Sequence, residues 1–391
     1  MFGLNGSHCP ATMTGARRRC VGKRRERLDS RRHRPLNGVG PPRTKPMRVF
    51  TTLPQEDLAA VAAAAKAAET AGFDGLMTME NRHDPFLALA VAATATTRIQ
   101  LMTGIAIAFA RSPMVVANAG WDLQAGSRGR FAIGLGSQVR AHNERRFSVP
   151  WSAPAPRMRE YVLALKAIYR CWKQGEKLDF QGEHYRFGLM TPNFVPEAMA
   201  APTPPITIAA VGPAMLRVAG EVCEGVRLHP LCTRRYIEEA VLPRLREGFA
   251  KSGRRREDFE ITGGGFIATG PDRAAVERMR EWVRVRVGFY GSTPAYWPVL
   301  ELHGHGELGR KLNELSRQGQ WAEMTKAVSD EVLEWFCAAG THREIAGVIE
   351  RRFGGLSDAI MASANSAVPS DMPADLLQDI QRLPVAFRGF A

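Results

Sequence analysis

Residues 130–147 read RFAIGLGSQVRAHNERRF. An apolar run climbs through Gly134, Leu135 and Gly136, then turns polar at Ser137 and Gln138. Glycine after a strand lets the backbone approach another group closely. The stretch falls short of a dinucleotide fingerprint. Val139 stands where the third glycine belongs, and no acid follows at ribose-binding distance. Other residues able to do chemistry also stand where apolar runs end. Glu80, Asn81, Arg82, His83 and Asp84 close FDGLMTM. Gly104 and Ile105, then Phe109 and Arg111, lie in and after IQLMTGIAIAF. Gly212 and Pro213 follow ITIAAV, and His229 follows GVRL. Carboxylates and imidazoles suit proton transfer near neutral pH.

Each of these has a plain structural reading beside the chemical one. Glu80 to Asp84 also reads as a solvated loop, and His83 as a cap or ion-pair partner. His229, before Pro230, reads equally as a hydrogen-bonded loop histidine or a substrate contact. Arg157 and Tyr161 fit the anchoring of a helix. Gly263, Gly264 and Gly265 fit close packing or a bulge. No zinc spacing, Ser-His-Asp arrangement or phosphate-binding Walker loop occurs, so no metal is expected. The pattern suits a binding barrel that takes its chemistry from an organic cofactor.

The elements that must position these residues alternate. Strand-like runs at 47–52, 73–80, 99–109, 130–136, 206–212, 225–230, 259–270 and 358–363 make eight. Helical runs at 55–72, 85–96, 113–127, 156–172, 213–224, 234–253, 272–287 and 342–355 accompany them. In the fourth, Met158, Val162, Leu165, Ile168 and Tyr169 share one face. Pro243 is expected to kink or interrupt the sixth. Eight such units predict an α/β fold, a (β/α)8 barrel, with a doubly wound sheet as the structural competitor. Residues 176–205, with a hairpin in KLDFQGEHYRF, read as an insertion after the fourth strand. Residues 288–340, rich in aromatics, read as one after the seventh. Phe289, Tyr290, Tyr296 and Trp297 there suit a pocket lid, a homodimer contact or simple packing.

Charge separates residues 1–46 from the rest. Twelve Lys and Arg residues but only Glu26 and Asp29 fall in that stretch, so it carries +10 of the formal +14. It lacks apolar periodicity and is expected to be a disordered extension, or the product of a start assigned too early, with Met47 the true start. The remainder, 47–391, is nearly neutral and reads as one domain. A basic arm binding nucleic acid is the reading from another functional class, but no basic stripe with interleaved aromatics accompanies it. The six cysteines are scattered, which suits a reduced, cytoplasmic protein. No 18-residue apolar run occurs, so no membrane partner is expected.

Five stretches in order carry a family resemblance: AAGFDGLMTMENRHDPF (71–86), TTRIQLMTGIAIAFARSPMVVA (96–117), GRFAIGLGSQVRAH (129–142), PRMREYVLALKAIYRCW (156–172) and ITIAAVGPAMLRVAGEVCEGV (206–226). Together they resemble the luciferase-like flavin and deazaflavin oxidoreductases, most closely their coenzyme F420-dependent branch. The resemblance implies a (β/α)8 barrel with the cofactor at its C-terminal face. It implies a bulge at Gly104-Ile105, with a non-proline cis peptide, that backs the cofactor ring. Gly136, Ser137 and Gln138 would meet the ring and its ribityl chain, and Gly212 and Pro213 the phosphate. Glu80 and Asn81 take the place of an Asp-His pair found in some members, so Glu80, His83 and His229 are the candidates for moving a proton and Asn81 for the cofactor. The implied reaction is hydride transfer between coenzyme F420 and a small or medium organic substrate. The alternative is an FMN-dependent, oxygen-using monooxygenase served by a separate flavin reductase.

Overall fold

Eight short strands of mostly apolar, fully buried residues pair in parallel and close on themselves. In the computed structural model, which describes residues 45–362 and 372–390, they are β1 (Arg48–Thr52), β2 (Gly75–Thr78), β3 (Gln100–Thr103), β4 (Phe131–Gly136), β5 (Ile206–Ala210), β6 (Gly225–Leu228), β7 (Glu260–Gly263) and β8 (Ala359–Met361). Each lies beside the next in chain order, and β8 returns to β1 with Ile360 opposite Val49. The sheet therefore has no edge at that seam. This excludes the doubly wound competitor, whose sheet is open.

The barrel helices are α1 (Leu58–Ala71), α2 (Leu87–Ala95), α3 (Pro113–Gly126), α4 (Pro154–Gln174), α5 (Pro213–Val222), α6 (Leu242–Ser252), α7 (Ile345–Phe353) and α8 (Ala374–Gln381). Local chemistry sets their ends. The Asp57 carboxylate accepts from the Ala59 N–H to start α1, and Gly72, at φ 98°, stops it. All five residues of the expected α4 stripe are buried. Before Pro243 the helix opens into a π turn at Ile237–Val241, which absorbs the missing proline N–H.

Two expectations need correction. The run 259–270 is not one strand: Gly263 (φ 84°) and Gly264 (φ 107°) break it, and Phe266–Gly270 leaves the barrel to pair in parallel with Cys337–Thr341. The helical run 272–287 consequently belongs to the insertion, as part of Arg273–Gly291, and not to the barrel. Its place in the ring falls to α7, and the eighth helix, α8, has no counterpart among the helical runs expected from sequence. The hairpin expected in 176–205 is present, with Phe180–Gln181 paired to Arg186–Phe187. Just before the expected boundary at Met47, Lys45 and Pro46 pair with Val385 and Pro384. The basic extension otherwise lies outside the described residues. Among those described, no helix is long and apolar enough to cross a membrane.

The N-terminal rim of the barrel is held by carboxylates that accept backbone N–H groups no strand partner reaches. Glu69 takes those of Thr97, Arg98 and Ile99, and Glu224 takes that of Ile206. Asp358 joins β7 to the C-terminal tail, accepting from Ile261 N–H at 2.7 Å and Phe387 N–H at 3.0 Å. Conserving rigidity at this end leaves the opposite, C-terminal rim free to carry chemistry.

Candidate active site

At the C-terminal end of β3 the chain turns through Gly104-Ile105, whose peptide bond is cis, before Ala106–Ile107 rejoins β4. The turn is tied down from β2. Gly104 N–H donates to the Thr78 carbonyl at 2.7 Å, and Glu80 N–H donates to the Ile105 carbonyl at 3.2 Å. The Glu80 carboxylate then accepts from Ile107 N–H at 2.6 Å and from Arg111 Nη1 at 2.7 and 2.8 Å. The other arm of Arg111 donates to Asp84 at 2.8 Å. Glu80 is thus a clamp, with both oxygens occupied in a largely buried ion pair. That is a positioning geometry; a proton carried by Glu80 would have to displace the guanidinium.

Ile105 sits half-buried on the turn. A Cβ at Gly136 would lie 2.7 Å from its side chain, and one at Gly104 would lie 1.9 Å from the Met77 sulfur. The first two glycines of the GLG turn were expected to admit a ligand. They are instead small because protein fills the space: a Cβ at Gly134 would meet the Thr103 carbonyl oxygen at 2.0 Å. The approach surface is the next step of the chain. Ser137 and Gln138 are partly exposed at the rim, with Gln138 in the left-handed region at φ 56° and its side chain accepting from Val139 N–H. Sequence reasoning missed Asn143. It is fully buried and its amide donates to the carbonyls of Ser137 (2.9 Å) and Val139 (3.1 Å), fixing that loop. Nothing in its local sequence marks it. The loop after β4 also reaches the loop after β2, where Arg146 donates to the Asn81 carbonyl. Asn81 and His83 are exposed beside it.

Gly212 and Pro213 open α5. No side chain caps this helix, and a Cβ at Gly212 would meet nothing within 4 Å. An uncapped helix start leaves its first-turn N–H groups without side-chain partners, the arrangement that an anion can use. Arg157, expected to anchor α4, does so: it donates to the Tyr185 hydroxyl at 3.0 Å and lies 4.4 Å over the Phe109 ring.

His229 follows β6. Its Nδ1 accepts from Leu231 N–H at 3.0 Å, which leaves the proton of the neutral ring on Nε2. Its ring stacks on Tyr296 (4.3 Å, 29°) and meets Tyr290 edge-on (4.4 Å, 82°). Burial pushes its pKa from 6.5 down to about 3. His229 is therefore a neutral hydrogen-bond donor across the working range, and pH profiles of binding or turnover between 5 and 8 should carry no His229 inflection. Because the folded-state pKa lies below the unfolded one, this group's stabilising contribution is complete above about pH 6.5 and declines as pH falls toward 3. Histidine side-chain NMR through that window checks both statements.

A model of the luciferase-like monooxygenase family matches residues 41–357. An uncharacterised protein of Mycobacterium tuberculosis is 47% identical over 325 residues, covering 83% of this chain and 95% of that one. A putative coenzyme F420-dependent oxidoreductase of the same organism is 29% identical over 285 residues, covering 68% and 80%. Among solved structures, the coenzyme F420-dependent tetrahydromethanopterin reductase from Methanopyrus kandleri superposes with a TM-score of 0.69 at 20% identity, over 87% of this chain and 98% of that one. That likeness speaks for the barrel. Together with the family match over most of the sequence, it identifies the chain as a flavin- or deazaflavin-type oxidoreductase belonging to the luciferase-like monooxygenase family.

Proposed function

We propose that this protein binds coenzyme F420 across the ends of β3 to β5 and uses it to exchange hydride with a neutral organic substrate. The observation that carries the reading is the Gly104-Ile105 turn, held at the C-terminal end of the barrel by Glu80 and Arg111, with the half-buried Ile105 packed over Gly136. A planar ring needs such a platform on one side and polar partners at its edge. Ser137 and Gln138 stand at that edge, and the uncapped start of α5 at Gly212-Pro213 offers N–H groups to a phosphate. The residues present fit the group. When bound, it supplies a two-electron hydride carrier.

The chain's own part is binding, orientation and proton handling. Glu80 positions the platform. His83, exposed at the rim, is the imidazole placed to move the accompanying proton, and His229 holds its Nε2 proton as a hydrogen-bond donor. The relative named as F420-dependent supports the deazaflavin over FMN. Titration of the purified chain with coenzyme F420 and FMN side by side tests the choice. Saturable quenching of deazaflavin fluorescence at micromolar concentration, without an FMN response, is the expected result. FMN binding alone would overturn it and point to an oxygen-using enzyme with a reductase partner.

A further inference from the structure

The long insertion between β7 and α7 does more than pack on the barrel wall. It carries Tyr290, at the end of Arg273–Gly291, and Tyr296, in the turn Pro294–Tyr296, onto the ring of His229 at the C-terminal end of β6. The same insertion is fastened to that loop at a second point, where His303 Nε2 and Thr233 Oγ1 are 2.8 Å apart. Tyr290 and Tyr296 are themselves 6.1 Å apart and nearly perpendicular, and Phe289, 46% exposed, extends the aromatic surface outward. His229 Nε2 and the two tyrosine hydroxyls have no hydrogen-bond partner among the described residues and are not sealed from solvent. Polar tips open to solvent on an aromatic surface are available to a ligand's acceptor.

The cluster is poor in charge. No carboxylate or lysine reaches the His229 ring, and the one cation near Tyr290, Arg286, is parked 4.7 Å over Trp282. A charged substrate group pressed here would lose its water and gain no counter-ion. A flat, neutral group would keep the stacking surface and could accept hydrogen bonds from the three free donors.

We propose that Tyr290, Tyr296 and His229 form the substrate-selecting face of the site, which takes a flat, uncharged organic carbonyl compound whose oxygen accepts from His229 Nε2–H. This rests on the cofactor reading above only for the chemistry that follows binding; the selectivity itself is a property of these three side chains.

The test is equilibrium binding to the full chain, read by calorimetry with acetophenone as the neutral probe and 4-acetylbenzoate as its charged counterpart, with cofactor titrated on the same samples. Acetophenone should bind at least about tenfold more tightly than 4-acetylbenzoate, and Tyr296→Ala should erase about tenfold of that affinity. Tyr296→Phe, which keeps the ring, should retain most of it, and both variants should keep the parent affinity for the cofactor. Equal affinity for the two ketones overturns the proposal. So does a Tyr296→Ala variant that melts earlier yet binds acetophenone as before, because the pair is then only packing. Ketone selectivity without any cofactor binding would sink the cofactor reading and leave this one standing; cofactor binding without ketone selectivity does the reverse.

Discussion

Glu80→Ala should both loosen the fold and remove the cofactor site. The carboxylate contacts Arg111 Nη1 and Ile107 N–H together, at 2.7 and 2.6 Å. Its side chain is 7% exposed and that of Arg111 18%, so the pair is largely desolvated. Removing one member of such a pair strands the other charge and costs about 3–5 kcal/mol. Asp84 would still hold one arm of Arg111, but its side chain is 36% exposed and its carboxylate's hydrogen bonds among the described residues are with Phe86 N–H and Arg111, not with the turn. The Gly104-Ile105 turn would then lose its link to β2 through Ile107. A platform displaced by an ångström is worth about a hundredfold in function. The expected result is a lowered melting temperature with cofactor affinity reduced by about that factor. Glu80→Gln, which keeps an acceptor for Ile107 N–H but no charge, should fall between. If Glu80→Ala bound cofactor as the parent does, the clamp would have no role in the site.

Gly134→Ala should be the most damaging single methyl in the barrel. The added Cβ would stand 2.0 Å from the Thr103 carbonyl oxygen and 2.8 Å from Arg227 Nε. Neither can yield. Thr103 Oγ1 bonds to both the N–H and the carbonyl of Gly134, each at 2.8 Å, and Arg227 is held by Thr207 at 3.0 Å inside the barrel. Relief requires β3 and β4 to separate where they close the sheet, at a cost of about 3 kcal/mol, the upper end for overpacking. Chemical denaturation should show it directly. Gly212→Ala is the contrast: φ is −74° and the space is open, so stability should be unchanged, while cofactor affinity should drop if the start of α5 seats a phosphate. A Gly134→Ala protein as stable as the parent would show that the barrel relaxes far more freely than its backbone contacts indicate.

The alternation of strand and helix was readable because each strand is a short, mostly apolar run and helices such as α4 carry a buried stripe. The bulge at Gly104-Ile105 was reached through family resemblance. The clamp around it was not legible. Arg111 and Glu80 lie 31 residues apart and either could have faced water. Asn143 was invisible for the same reason: its burial comes from the loop it fastens. The glycines of the GLG turn misled in a specific way. A sequence shows that a Cβ is absent but not what occupies its place, and here it is Ile105 and the Thr103 backbone. The run 259–270 reads as a single strand because both halves are β-like; only the left-handed Gly263 and Gly264 divide them. α8 escaped because ADLLQDIQ is short, and three buried residues, Leu376, Leu377 and Ile380, make too brief a period to stand out.

The seam between β1 and β8 also sets a timetable for synthesis. Val49 finds its partner only when Ile360 has been made, and Asp358 must wait for Phe387. At 5–20 residues per second the ribosome needs roughly 15–60 s to cover that distance. For all of that interval β1 presents an unpaired row of N–H and C=O groups on one side, in a strand whose residues are meant to be buried. Half-made chains are therefore the species most exposed to aggregation. Slower translation would lengthen that exposure, and chaperones that shield strand edges should raise the yield of this barrel more than any change to its finished surface.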